Sequence, residues 1–420
     1  MLASLGTAVG GAVAGCGALR SSSEDAVEYD ESAIRELPGR LPRIPATVPV
    51  QPTEDHLRAA RDRVRSLLAD ADPSTVPNEA VRNVLAGERD AARDALSQDR
   101  DGETRADALA GLTHPRSEAM FVDAGLAAFE GSLTPSGVAA RRDRHHRDAT
   151  AFLAEHRYVG PPEDPVAALA EHATIVDWGQ TGVRLTEPAE RDEYENAVLH
   201  VADLAGRVEW GRAYAADARR LAEQYVSGLD DPEDHGERFA SVAGRLLDDV
   251  EPYTTTPDWD TLGDEIERDI ESTAGEALLE ELVQERWSGA QYTLAQHDEG
   301  RHAGAVLAAM RSLAADGALA EARAAIADGE YGVPESIDPI AAERAAAVDG
   351  LGSLLDTVPA LLARRLAGRV RNPVRMADRN AREGGVTEPE RSQYAPYAFA
   401  NLFAAAAPAV VERVGDALEG

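Results

Sequence analysis

The 420-residue chain contains no lysine. All 42 of its basic residues are arginine, set against 75 aspartates and glutamates, for a net charge of −33. No basic patch is visible, so the electrostatic footprint of a nucleic-acid binder is missing. Without lysine the phosphate-cradling G-x-x-x-x-G-K loop fails outright. Cysteine occurs once, at Cys16. A single thiol excludes a disulfide framework and a thiolate metal cluster. Aromatics make up 5% of the residues, and no stretch alternates Val, Ile, Tyr or Phe over a useful length. Strand signals are therefore almost absent. H-E-x-x-H and the G-x-S-x-G elbow are missing too, so metalloprotease and serine-hydrolase chemistry have no footing.

What is present is a folded composition with an extreme surface. The hydrophobic fraction is 44%, which separates this acidity from that of disordered chains. The acids are spread along helical segments and do not collect in a tail. At ~1 M salt the Debye length is about 3 Å, so repulsion between surface carboxylates is largely screened. Carboxylates also keep a surface soluble better than lysine does. Many acids, no lysine and abundant alanine resemble proteins of extremely halophilic archaea. GC-rich coding alone would favour Ala and Arg, but it does not explain −33.

Residues Met1 to Gly15 are uncharged and rich in Leu, Ala, Val and Gly. The stretch is too short to span a bilayer, which takes about 20 apolar residues, and it fits the apolar region of a secretory signal. It runs into Val13-Ala14-Gly15-Cys16, then into the polar Arg20-Ser21-Ser22-Ser23-Glu24-Asp25. Val13 to Cys16 resembles the lipobox of prokaryotic lipoproteins. That resemblance implies export, removal of residues 1–15, and a lipid on Cys16 holding the chain at the outer face of the membrane. A body of charge −33 gains nothing from an anionic membrane, so the lipid would do the holding. No Arg precedes Arg20. Since such signals begin with basic residues, usually a twin arginine in haloarchaea, a start upstream of Met1 is expected. The competing reading is a buried N-terminal helix, for which Gly10-Gly11 is a poor interior.

Residues 16–53 read as a lipid-attached tether, its Pro-rich end extended and semi-rigid, with Ile44, Val48 and Val50 available to pack on the body. From Thr53 the period is helical almost throughout. Thr53 caps a helix with Leu57, Ala60, Val64, Leu67 and Leu68 on one face. Asn78 precedes a second, with Val81, Leu85, Ala92 and Leu96. Thr134-Pro135 opens a third through Val138, His145, Ala149, Phe152 and His156. Further helices are expected at 189–228, 238–250, 261–296, 302–315, 318–328, 339–371 and 390–418. The class is all-α, a multi-helix bundle or helical-hairpin array behind an extended Pro-rich N-terminal segment. The expected division is a helical half at 54–230, a connection at 231–260 and a second half at 261–420. Leu185–Tyr194 echoes Val386–Tyr394, which shared capping at Thr186 and at Thr387/Glu390 explains without a duplication. His302–Gly329 is read as one helical hairpin.

The chemical leads are few. His297 and His302 lie five residues apart and would point roughly 140° apart on one helix, so they share an ion only if Gly300 breaks it. Asp298, Glu299 and His302 would share a face, and Glu299-x-x-His302 is half of a di-iron pattern whose second half is missing. An exposed ion cluster is the plainer reading. His145 and His156 are roughly 16 Å apart along a helix and cannot hold one metal together. Trp178, Trp210, Trp259 and Trp287 read as packing residues, and Tyr394, Tyr397, Phe399 and Phe403 as a core stripe. No cofactor is implied. Three roles are carried forward: a lipid-anchored binding or scaffolding protein with an unknown protein or small-molecule partner, an exported metal-dependent enzyme using Glu299 and His302, and a solute-binding receptor. The last is ranked below the first, because such receptors alternate strands and helices.

Overall fold

The computed structural model describes residues 29–97, 104–188, 193–263, 266–384 and 388–420. Cys16, the signal segment and the Thr387 cap lie outside the described residues. The described chain is an all-α bundle. The first half holds α1 (Glu31–Glu36), α2 (Glu54–Leu67), α3 (Glu79–Ser97), α4 (Arg105–Ala110), α5 (Thr113–Phe129), α6 (Pro135–Ala154), α7 (Pro165–Leu185) and α8 (Ala197–Ser227). The second holds α9 (Gly236–Val250), α10 (Ala274–Asp298), α11 (His302–Asp328), α12 (Asp338–Leu355), α13 (Ala360–Glu383) and α14 (Ala395–Glu419). A π-helical turn, Glu390–Tyr394, leads into α14. Two-residue strands β1 (Val159–Gly160) and β2 (Glu233–Asp234) pair antiparallel where the halves join, with Val159 opposite Asp234.

Local chemistry sets many of the boundaries. The Thr53 hydroxyl accepts from the His56 N–H at the start of α2, and the Asn78 side chain accepts from Val81 N–H ahead of α3. Thr134 caps α6 with Pro135 at its first position, where the missing N–H costs nothing. The five expected residues of the α2 face are all buried, as are Tyr394, Tyr397, Phe399 and Phe403.

Packing overrides the local pattern elsewhere. Leu262, Ile266 and Ile270 have helical spacing, but α10 starts only at Ala274, capped by Thr273. The earlier residues pack onto the core from a turn-rich segment in which Ser272 takes φ 61°. The expected hairpin at His302–Gly329 is one continuous helix. Asp316 accepts from Arg286 and from the Tyr253 hydroxyl, and a side chain on Gly317 would press on Ala406 of α14. Neighbouring helices thus hold the expected breaker in helical form. The expected run 339–371 is instead two helices, divided at residues 356–359. The stretch 231–260 is more than a connection, because α9 buries Phe239, Val242, Leu246 and Val250. Thr186 ends α7 and does not open a helix.

Residues 29–53 are a strap, not a free tether. The Tyr29 hydroxyl donates to Pro334 O, Arg364 donates to Ala46 O, and Ile34 and Val48 are buried. The strap then crosses to the first half. There the Val50 N–H meets the Glu171 carboxylate at 3.1 Å, and Gln51 accepts from Ala106 N and Gln224. Two helices, His302–Asp328 and Glu390–Glu419, are long and apolar enough to cross a membrane, and both are mostly buried within the bundle.

Candidate functional site

Two regions concentrate chemistry. The first lies where α10 turns into α11. Gly300 takes φ 72° and ends the helix, a conformation only glycine adopts without penalty. The break brings the His297 and His302 rings to 5.8 Å. It also takes Asp298, Glu299 and His302 off any common helix face. Asp298 is exposed at the end of α10, Glu299 pairs with Arg301, and His302 opens α11. Among the described residues no three His, Cys, Asp or Glu side chains are placed to hold a metal ion.

Beside this turn the His172 Nε2 lies 2.6 Å from Val159 O, and its Nδ1 lies 3.0 Å from the His156 Nε2. Val159 O accepts only, so Nε2 of His172 carries the proton and His156 donates to Nδ1. Burial pulls the His172 imidazole down to about 4 and, with His172 adjacent, His156 to about 3. Both are neutral in ordinary conditions. His156 sits beyond the end of α6, which stops at Ala154. Tyr158 packs edge-on against both rings and against Phe239, and its hydroxyl donates to Gly300 O at 3.4 Å. This cluster joins the halves, and among the described residues the buried Tyr225 hydroxyl, His235 Nδ1 and His302 Nδ1 packed around it have no hydrogen-bond partner.

A polar stripe on α7 continues the seam at helical spacing. Glu171, Thr174, Asp177 and Gln180 face the second half. Arg365 of α13 donates to Ala170 O and the Thr174 hydroxyl, and the Gln180 and Gln296 amides meet at 3.1 Å. Burial raises the Glu171 carboxyl to about 7, against the lowering effects of the Val50 N–H and Arg365.

The second region is an open cleft of about 440 Å³ between α10, α13 and the start of α14. Three helix faces build it. From α10 come Glu281, Gln284 and Glu285, at i, i+3 and i+4. From α13 come Arg369, Asn372, Pro373, Met376, Ala377 and Asn380, along the same face over three turns. Ser392 of the π turn, Pro396 and Phe399 close it. Pro373 has no N–H to give the Arg369 carbonyl, so α13 lacks a backbone bond at this wall. Two backbone irregularities thus border one cleft, and π turns recur at functional sites.

The charges in the cleft are unequal in their partners. Glu285 accepts from Arg311 at 2.8 Å and faces Arg369 at 3.4 Å. Arg391 of the π turn is held by Glu276 at 2.6 Å and by Glu280 at 3.7 Å. Glu281 has neither a hydrogen bond nor an ion pair among the described residues, and burial together with Glu285 pushes its carboxyl up to about 7. An apolar-walled cleft of this size with a few convergent polar groups and a perturbed carboxyl is the usual form of a small-molecule site. It accepts and donates hydrogen bonds, and Glu281 exchanges a proton near neutral pH. The sequence reading missed it, because it ended the helix at residue 371 and so left Asn372 to Asn380 unplaced. The available signal was the 3–4 spacing from Arg369 to Asn380 carried through an internal proline.

Residues 55–231 match the model of a family described as a domain of unknown function, DUF8262. Residues 236–416 match that of a second, DUF8264. No curated protein and no solved structure matches the chain. Each match covers less than half of the 420 residues, and together they span most of the body.

Proposed function

We propose that this chain is a cell-surface binding protein of a halophilic archaeon, lipid-anchored through Cys16, with the cleft between α10, α13 and α14 as its ligand site. The observation that carries the binding role is the unpartnered Glu281 carboxyl in an apolar-walled cleft. The lipobox-like Val13 to Cys16 supports the anchor, and a charge of −33 without lysine supports the salt regime. Of the other roles, the metal-dependent enzyme has lost its shared helix face at Glu299 and His302. A solute-binding receptor would use the same cleft and differs only in handing its ligand to a transporter.

Membrane fractionation of the full chain against Cys16→Ser tests the anchor. The parent is expected with the membranes and the variant in the supernatant; equal retention overturns it. Thermal unfolding in molar salt against a small-molecule panel tests the cleft. Ligands that stabilise the parent are expected to lose that effect in Met376→Trp, which fills the cleft from a side chain 38% exposed. Stabilisation that survives the filling places the site elsewhere.

A further inference from the structure

We infer that the cleft takes a small organic cation, its ammonium or guanidinium group set against Glu281 and its apolar body against Met376, Pro396 and Phe399. This rests on the cleft being the ligand site. Between Glu276 and Glu285 the four acids of α10 are served by three arginines. Glu276 and Glu280 share Arg391, and Glu285 has Arg311 and Arg369. Glu281, between them, faces the cleft with no guanidinium of its own. Glu281 is half-buried in the open cleft, and burial together with the neighbouring Glu285 raises its affinity for a proton. A ligand cation placed beside it supplies that charge.

The remaining groups fit a cation better than an anion. The charged groups facing Glu281 are Glu285 on its own helix and Arg369 on α13, with Arg311 of α11 behind. Arg369 and Arg311 both point to Glu285, so an anion would have to draw Arg369 away from it and would sit beside Glu281. Ser392, Pro396 and Phe399 of the third wall carry no charge. Gln284, Asn372 and Asn380 offer amide oxygens to an N–H donor. Bare inorganic cations prefer six or more oxygen ligands, whereas most of this wall is carbon. The field of a chain at −33 also favours cations at any salt that leaves it unscreened.

Cation binding and protonation compete for Glu281, so the affinity rises with pH through about 7 and levels off above it. Between pH 6 and pH 8 the ionised fraction grows about tenfold. The test is calorimetric titration of the full Cys16→Ser chain at constant molar KCl with three probes sharing one ring: benzylammonium, benzyl alcohol and benzoate. Benzylammonium is expected to bind at pH 8, to weaken five- to tenfold at pH 6, and to weaken at least tenfold in Glu281→Gln. That substitution keeps the shape and removes the charge, and its folding is checked by its melting curve. Met376→Trp is expected to abolish binding while leaving Glu281 intact. If benzyl alcohol or benzoate binds better and Glu281→Gln retains it, the cation inference falls while the cleft stands. If no probe binds, or Met376→Trp leaves binding unchanged, the cleft reading falls with it. If the cation binds equally at pH 6 and pH 8, Glu281 is not its partner and the inference is overturned.

Discussion

Glu171 makes the stability of this protein depend on pH in a calculable way. Its side chain is 1% exposed and its carboxyl is pushed up to about 7 from the ordinary 4.5, chiefly by burial. Below about pH 4 both folded and unfolded chains hold the proton. Between 4.5 and 7 the unfolded chain has released it while the folded chain keeps it, so stability falls as pH rises through that range. Above 7 the full cost remains. A shift of about 2.5 units at 1.36 kcal/mol each is about 3 kcal/mol. Glu171→Gln does not titrate, and its amide oxygen can still accept from the Val50 N–H. The difference between parent and variant therefore isolates one group, and every other titration cancels. Melting in molar KCl at pH 5, 6, 7 and 8 is expected to show the variant gaining on the parent by about 2.5 kcal/mol over this range, part of the effect being already present at pH 5. That is roughly 5–10 °C if the cooperative unit is 150–250 residues. A Glu171→Gln difference constant from pH 5 to pH 8 would refute the assignment of a buried, proton-holding carboxyl.

Three other outcomes follow from the same structure. Asp217 accepts from Arg116 at 2.5 Å and lies 2.9 Å from the His56 Nε2, with side-chain exposures of 6%, 4% and 3%; Asp217→Ala should cost about 3–5 kcal/mol by stranding a buried guanidinium, and a loss under 1 kcal/mol in denaturant unfolding would contradict that. A Cβ on Gly289 would lie 2.9 Å from the Ser312 nitrogen, whereas one on Gly352 meets nothing within 4 Å. Gly289→Ala should therefore lower the melting temperature, and Gly352→Ala should raise stability by about 0.4–1 kcal/mol; the same sign for both would mean that helix contact does not decide. Removing residues 1–53 uncovers the sites of Ile34 and Val48, each worth about 1.5–3 kcal/mol when buried. The truncated protein should melt lower and lose most of the Glu171 pH dependence, because the chain covering that carboxyl is gone; unchanged melting would make the strap incidental.

Helix starts with a hydroxyl, amide or proline signal were legible in the sequence, as Thr53, Asn78 and Thr134-Pro135 show. So was the class, since 3.6-residue spacing recurs and alternation does not. The failures share a cause. Gly317, preceded by Asp316, looks like a stop, but Arg286 and Tyr253 hold the aspartate and Ala406 packs on the glycine, and neither partner is near in sequence. Leu262 to Ile270 has helical spacing, yet its apolar residues reach the core from turns. The strap was legible in part: Ile44 and Val48 were expected to pack on the body and do, but proline-rich chain looks alike whether it is solvated or laid across a surface, so the extent of the packing was not. Gly300 was identified as the position on which the meeting of His297 and His302 depended, and it does break the helix. The cleft was hardest to read, because among 75 acids an unpartnered one is visible only when every neighbour's partner is known.

The placement of α7 bears on how this protein could be divided. The two family matches meet at residues 231 and 236, which invites cutting the gene there. But Val166, Ala168, Leu169, Ala173 and Val176 of α7 belong to the same continuous core as α9 to α14. A fragment starting at 236 would keep the cleft between α10, α13 and α14 but lose the α7 side of its core, and would present that bare apolar face to any similar surface. The boundary along which these families are recognised is therefore not the boundary along which the molecule would come apart. Shuffling of the second domain alone would have to bring along a substitute for α7.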